Sequence, residues 1–340
     1  MIIFGGFMGI LSILLFYWFK MFTTYIPDIK LSQLDPQIQD WFNKGRLVDV
    51  LGHTMFVIDQ NPSMTETIIL IHGFPTSSFD YKKSIDLLSK DYRVVTFDHL
   101  GFGFSDKPQE NYTYSLVDQA EQALNLWRIL GIKSANIVSH DMGDSILTEI
   151  LSRYERGVLP DYFNNFFKKI IFTNGGMKYD FINFRLSQSL LMSPVGPYLT
   201  KLNKINELAG LMDLLSTQQL KTIWSPVYLD ENEMEIDIKQ IQMINRYKNG
   251  NALTHLTISY LRDRSRFESR WMTSLERIQI PILLLWGDSD AVSPLSIPRA
   301  VSRHIQPEFV KMETMKGAGH FIMLEEPMKW TRHILQFIRL

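Results

Sequence analysis

The sequence predicts an α/β protein built on a mostly parallel, doubly wound sheet, with one helical insertion late in the chain. Three observations carry this. Apolar runs without alternation lie at Thr67–Ile71, Arg93–Phe97, Ala135–Ser139, Lys169–Thr173, Ile282–Trp286 and Phe309–Met312, the mark of strands buried on both faces. Helical patterns such as Ser115–Leu130 fall between most of them, and strand alternating with helix gives a parallel sheet. Between about Met177 and Pro281 the alternation stops, and residues such as Leu202, Ile205, Leu208, Leu211, Met212 and Leu215 repeat at helical spacing instead.

Taken in order, residues 1–19 (MIIFGGFMGILSILLFYWF) carry no charged side chain and would span roughly 29 Å as a helix, close to the thickness of a bilayer core. They are expected to form a transmembrane anchor, residues 1–20, which would tie the chain to a membrane. A linker, 21–45, contains Pro27 and Pro36. A first part of the α/β core, 46–176, opens on a hairpin that turns at Gly52-His53. A helical cap, 177–278, follows the sixth strand, and a second part of the core, 279–340, completes the sheet. Such a cap would lie over the carboxyl edge of the strands, where open α/β sheets bind ligands, and would enclose an apolar pocket.

With 340 residues, 45% of them hydrophobic, the chain can bury a large core. Its 35 basic and 36 acidic side chains leave a net charge of -1, which gives no footprint for nucleic acid. The absence of cysteine excludes disulfides and thiolate catalysis. The eight histidines show no ligand spacing, and Gly101-Phe102-Gly103 is not completed to a dinucleotide fingerprint, so neither a metal nor another cofactor is expected. The arginines 262, 264, 266 and 270 read as a solvated helix face.

The stretch that carries chemistry is Ser139-His140-Asp141-Met142-Gly143-Asp144, where an apolar strand meets a helical pattern in a sharp turn. The small residues Ser139 and Gly143 flank Asp141 as such an elbow requires. A carboxylate is already ionised at neutral pH and suits displacement at a saturated electrophilic carbon, giving an alkyl-enzyme ester. Asp144 is expected to favour the helix N-terminus. His72-Gly73-Phe74-Pro75, directly after a buried strand, is placed to supply an oxyanion-hole N–H from Phe74, with Met142 as its partner. His320, in Gly317-Ala318-Gly319-His320, suits the base that activates water. Asp290 is the expected acid that orients it, with Asp288 as the alternate in Gly287-Asp288-Ser289-Asp290. The order Asp141, Asp290, His320 is nucleophile, acid, base.

Together HGFPTSS at 72–78, LGFGFSDKP at 100–108, SHDMGD at 139–144 and TNGG at 173–176 make the chain resemble the α/β-hydrolase-fold branch that contains epoxide hydrolases and haloalkane dehalogenases, and within it the mesoderm-specific transcript proteins. The resemblance implies an α/β-hydrolase fold and a hydrolase in the endoplasmic reticulum membrane, with Asp141, Asp290 and His320 in the roles given above. Dehalogenation would need side-chain donors at the positions of Phe74 and Met142, which have none. Epoxide opening would use cap tyrosines as proton donors, and the candidates are Tyr260, Tyr198, Tyr228 and Tyr247; Tyr260-Leu261-Arg262 is the nearest match to the family's tyrosine-arginine element. The expected substrate is small and apolar or lipid-like, and the rival reading is a catalytically silent membrane scaffold.

Overall fold

The structure is a computed structural model that describes residues 29–184, 186–198, 220–221 and 231–340. Asp35 and Pro36 start the first helix, α1 (Pro36–Lys44). The Asp35 carboxylate accepts the Gln37 N–H at 2.9 Å, and proline stands in the first turn, where it has no bond to lose. Ile38 and Trp41 bury one face of α1, so part of the stretch expected as linker packs onto the core.

The hairpin of β1 (Arg46–Val50) and β2 (His53–Gln60) turns through Leu51 and Gly52, both at positive φ, 54° and 80°. A two-residue turn of that hand matches the twist of the strands it joins. Then come β3 (Thr67–Ile71), β4 (Arg93–Phe97), α2 (Leu116–Ile129), β5 (Ala135–His140), α3 (Met142–Glu155) and β6 (Phe167–Thr173). The regular elements described between β6 and the next strand are helical, chiefly α4 (Leu186–Met192), α5 (Glu231–Arg246) and α6 (Tyr260–Leu275). The chain closes with β7 (Ile282–Gly287), α7 (Ser296–Ser302), β8 (Val310–Met315) and α8 (Pro327–Arg339).

The 8-stranded sheet has the order β1-β2-β4-β3-β5-β6-β7-β8. The pairings of β2 with β1 and with β4 are antiparallel, and the other five are parallel. Along β3, Ile69 and Ile71 join one apolar cluster with Trp127 and Trp271, while Ile68 and Leu70 join another with Tyr81 and Trp330. Both faces of the sheet are thus covered, as the unalternating runs require. Each large apolar side chain buried this way contributes roughly 1.5–3 kcal/mol.

The helix α6 is fastened along α3. Arg264 Nε donates to Ser145 Oγ at 2.8 Å, Trp271 Nε1 donates to Glu149 Oε2 at 2.8 Å, Arg270 pairs with the same carboxylate, and the hydroxyls of Ser152 and Ser274 meet at 2.9 Å.

The expectation of a single-pass membrane protein of the endoplasmic reticulum is corrected. Among the described residues no helix is long and apolar enough to cross a membrane. The helices α5 and α6 have 16 residues each and carry several charges, whereas a span needs about 20 apolar residues. Residues 1–19, on which the expectation rested, lie outside the described residues.

Candidate active site

Asp141 stands where β5 turns directly into α3, with φ 45° and ψ −108°. A residue with a Cβ pays of order 1–3 kcal/mol to hold such a conformation, so the surroundings must enforce it. The Asp141 N–H donates to Thr173 O at 3.2 Å, tying the elbow to β6. Close packing does the rest. A Cβ on Gly143 would lie 2.7 Å from the carbonyl oxygens of Ile71 and His72, and one on Gly73 would lie 2.6 Å from Asp141 Cβ.

Two donors from different elements meet the Asp141 carboxylate. Phe74 N–H donates to Oδ2 at 3.0 Å. Arg264 Nη2 donates to Oδ1 at 3.2 Å and to the Asp141 carbonyl oxygen at 2.9 Å. Met142 is the first residue of α3, and among the described residues its N–H makes no hydrogen bond to the carboxylate. The loop that presents Phe74 is held by His72, whose Nδ1 contacts Gly73 O at 2.9 Å while Nε2 accepts the His99 N–H at 3.0 Å, which assigns the neutral Nδ1–H tautomer. Burial keeps that imidazole neutral by lowering its pKa. For Asp141 burial pushes the pKa up, but the Arg264 guanidinium, the imidazoles of His320 and His140 and the Phe74 N–H outweigh it and hold the pKa below the usual carboxylate value.

On the other side of the elbow His320 Nδ1 meets Asp290 Oδ2 at 2.8 Å. Asp290 Oδ1 accepts the N–H groups of Val292 and Ser293 at 2.7 and 2.8 Å, and Oδ2 also accepts Asn174 Nδ2 at 2.6 Å. Asp288 is exposed and accepts the Gly317 N–H at 2.7 Å, which makes it a turn residue. Burial lowers the His320 pKa, but the charge and hydrogen bond of Asp290, with the charges of Asp141 and Glu325, outweigh it, so the net shift is upward. The His320 loop is clamped by Glu325, whose two oxygens accept the N–H groups of Gly319 and Phe321 at 2.5 and 3.1 Å. Burial pushes the Glu325 carboxyl up to about 7.

Comparison with known proteins gives the family. Residues 66–196 match the family described as alpha/beta hydrolase fold. The human mesoderm-specific transcript homolog protein is 30% identical over 90% of this chain and 89% of its own. The chain belongs to the mesoderm-specific transcript group of α/β hydrolases. The putative hydrolase LipZ of Mycobacterium tuberculosis is also 30% identical, over 89% of this chain and 98% of its own. Epoxide hydrolase 3 of Xenopus tropicalis is 24% identical, over 82% of this chain and 72% of its own. The protein is therefore a hydrolase, and such relatives imply a small-molecule substrate.

Of the three candidate tyrosines among the described residues, Tyr260 is at the site. Tyr260 is buried, its ring centroid 5.4 Å from that of Phe74 and 4.6 Å from the Arg264 guanidinium carbon. Burial and then the Asp141 charge raise its pKa well above the ordinary value, with Arg264 opposing. Tyr198 is 69% exposed, which removes it from an enclosed site. Tyr247 packs edge-on against Phe104 at 5.3 Å, beneath the ammonium groups of Lys107 and Lys248. Tyr228 lies outside the described residues. A cavity beside Phe74 is lined by Pro75 and Phe102 and also by Lys107, Asn245 and Thr254; Asp141, His320 and Tyr260 do not line it.

The arginine cluster read as a solvated face is corrected at one position. Arg264 is 2% exposed and ion-paired with Asp141. Asp144 is likewise not at a solvated helix end. It is fully buried and accepts Ser139 Oγ at 2.6 Å, and burial raises its pKa well above the ordinary value. Arg264, Asn174 and Glu325 were missed as site residues; Arg264 left a signal in the stripe Tyr260, Arg264, Trp271, Leu275, otherwise an aromatic and aliphatic face of one helix, and Asn174 left one in the motif TNGG at 173–176.

Proposed function

We propose that this hydrolase opens small epoxides with an apolar face, Asp141 forming an ester that a water activated by His320 then hydrolyses. Asp141 attacks a ring carbon; the carbon–oxygen ring bond breaks and its electron pair stays on the ring oxygen, which takes a proton from the Tyr260 hydroxyl. His320 then removes a proton from water, the hydroxide adds to the Asp141 ester carbonyl, and Phe74 N–H stabilises the oxyanion. Collapse expels the alcohol oxygen, which takes the proton from the His320 imidazolium and leaves as a diol, while the proton left on the Asp141 carboxyl returns to the Tyr260 oxygen and the carboxylate is restored. Asp290 fixes the His320 tautomer, and Asp288 has no part in it.

The observation that carries this reading is the ionised carboxylate at the elbow, between an N–H donor and a His–Asp pair. Electrostatics support the order of steps. The Asp141 charge is one of the groups that raise the His320 pKa. Esterification removes that charge, so the imidazole becomes available as a base when the water must be activated. The name of epoxide hydrolase 3 among the relatives agrees with this chemistry.

Intact mass of His320→Gln protein after exposure to a panel of apolar and lipid-derived epoxides tests the reading. The expected result is a gain equal to one epoxide, mapped to the peptide containing Asp141 and absent from Asp141→Ala. A gain that survives Asp141→Ala sinks the mechanism, as does a folded protein that no epoxide in the panel modifies.

A further inference from the structure

Arg264 has a place in the site that the mechanism above leaves unused. Its guanidinium reaches the nucleophile from α6, and among the described residues its ion-pair partner is Asp141. The approach is built in. Nε is held by Ser145 Oγ, Nη2 bridges the backbone and side-chain oxygens of Asp141, and a Cβ on Gly176 would lie 2.3 Å from Nη1, so glycine there leaves the room the head group occupies. Asp144, the other carboxyl nearby, is engaged by Ser139 Oγ at 2.6 Å instead.

A buried cation that loses its counter-ion is costly, and alkylation removes this one's counter-ion. As the new carbon–oxygen bond forms, the Asp141 carboxylate becomes a neutral ester, and the negative charge passes to the atom expelled from the carbon. If that atom stays attached to the substrate skeleton, as the oxygen of an opened ring does, the charge stays in the site and can pass to Tyr260, whose ring lies 4.6 Å from the guanidinium carbon. If it departs as a free ion, Arg264 is left unpaired in the interior.

We propose that Arg264 is a catalytic residue that exchanges the Asp141 carboxylate for the oxygen released by the opening ring, and so restricts the site to electrophiles whose leaving oxygen stays tethered, the strained cyclic ethers. This rests on the reading of Asp141 as nucleophile. The proton that later neutralises the ring oxygen comes from Tyr260, and the tyrosinate so formed lies against the same guanidinium, which keeps a counter-ion until the diol is released. Hydrolysis restores the original pair.

Two probes separate the cases: styrene oxide, whose leaving oxygen stays tethered, and benzyl bromide, whose leaving group departs. Full-length His320→Gln protein is alkylated by each, and the rate of mass gain is compared with that of the His320→Gln/Arg264→Gln protein. Loss of Arg264 is expected to slow the epoxide reaction roughly 100-fold, as loss of an oxyanion donor does, and to leave the bromide rate unchanged or faster. Equal slowing with both probes means that Arg264 only shapes the elbow and overturns the proposal, as does an unchanged epoxide rate. If Arg264→Gln does not fold, Arg264→Lys takes its place; its shorter arm is expected to lower the ratio of epoxide to bromide rate about tenfold, and an unchanged ratio overturns the proposal. If His320→Gln protein gains no mass from either probe, the nucleophile reading itself has failed, an outcome distinct from any effect of position 264.

Discussion

Asp141 and Asp290 are both buried carboxylates just past the ends of sheet strands, β5 and β7, yet their surroundings treat them in opposite ways. Asp290 sits in a loop with every direction of its carboxylate occupied: two backbone N–H groups on Oδ1, His320 and Asn174 on Oδ2. Asp141 is held in a strained backbone, meets one N–H and one guanidinium, and keeps lone pairs free. Full satisfaction holds the Asp290 carboxylate in one orientation against His320. Partial satisfaction next to a cation makes a carboxylate that is ionised and still able to form a bond.

Breaking the contrast on the Asp290 side has the largest expected effect. Asp290→Asn can donate to His320 Nδ1 and favour the wrong tautomer, so turnover of the trapped substrate class should fall roughly 10⁴-fold, measured as kcat with binding little changed. An Asp290→Asn enzyme within tenfold of wild type would show that His320 needs no orienting carboxylate.

Asn174→Ala removes one donor from Asp290 Oδ2 and one from Gly319 O, 2.6 and 3.1 Å away. Leaving buried acceptors short of partners costs about 1–3 kcal/mol, to be read as a lower urea midpoint. A drop in kcat that exceeds the loss of stability would indicate that Asp290 has also moved.

The smallest effect concerns Glu325, with its carboxyl pushed up by burial to about 7 from an ordinary 4.5. A carboxyl whose pKa is raised in the folded state stabilises the fold fully below its ordinary pKa, and this is lost as pH rises through about 7. Glu325→Gln should therefore flatten the dependence of stability on pH between 4.5 and 7, measured by urea unfolding across that range. Part of the slope should persist, because burial pushes Asp80 up to about 8. An unaltered slope in Glu325→Gln would assign all of it elsewhere.

The sheet was legible because strands covered on both faces must be apolar without alternation, and β3, β5 and β7 have no other way to read. The elbow and the His320 loop were legible because tight turns and close approaches need small residues at fixed spacing. Arg264 was hidden by company. Arginines at 262, 266 and 270 suggest solvent, and only the spacing from Tyr260 to Trp271 and Leu275 reveals that one of the four points inward. The motif TNGG marked Asn174 but not its role, which is to hold loops 116 and 145 positions away, and no local pattern marked Glu325.

The fastening of α6 to α3 bears on how substrate gains access. An insertion over a site is commonly pictured as a lid, but this helix is riveted from Arg264 to Ser274, and lifting it would strip a buried charge from Asp141. In hydrogen exchange its amides should behave as those of the sheet core. Any breathing that admits a ligand then belongs to other parts of the insertion, with α6 serving as the stationary jamb of the doorway.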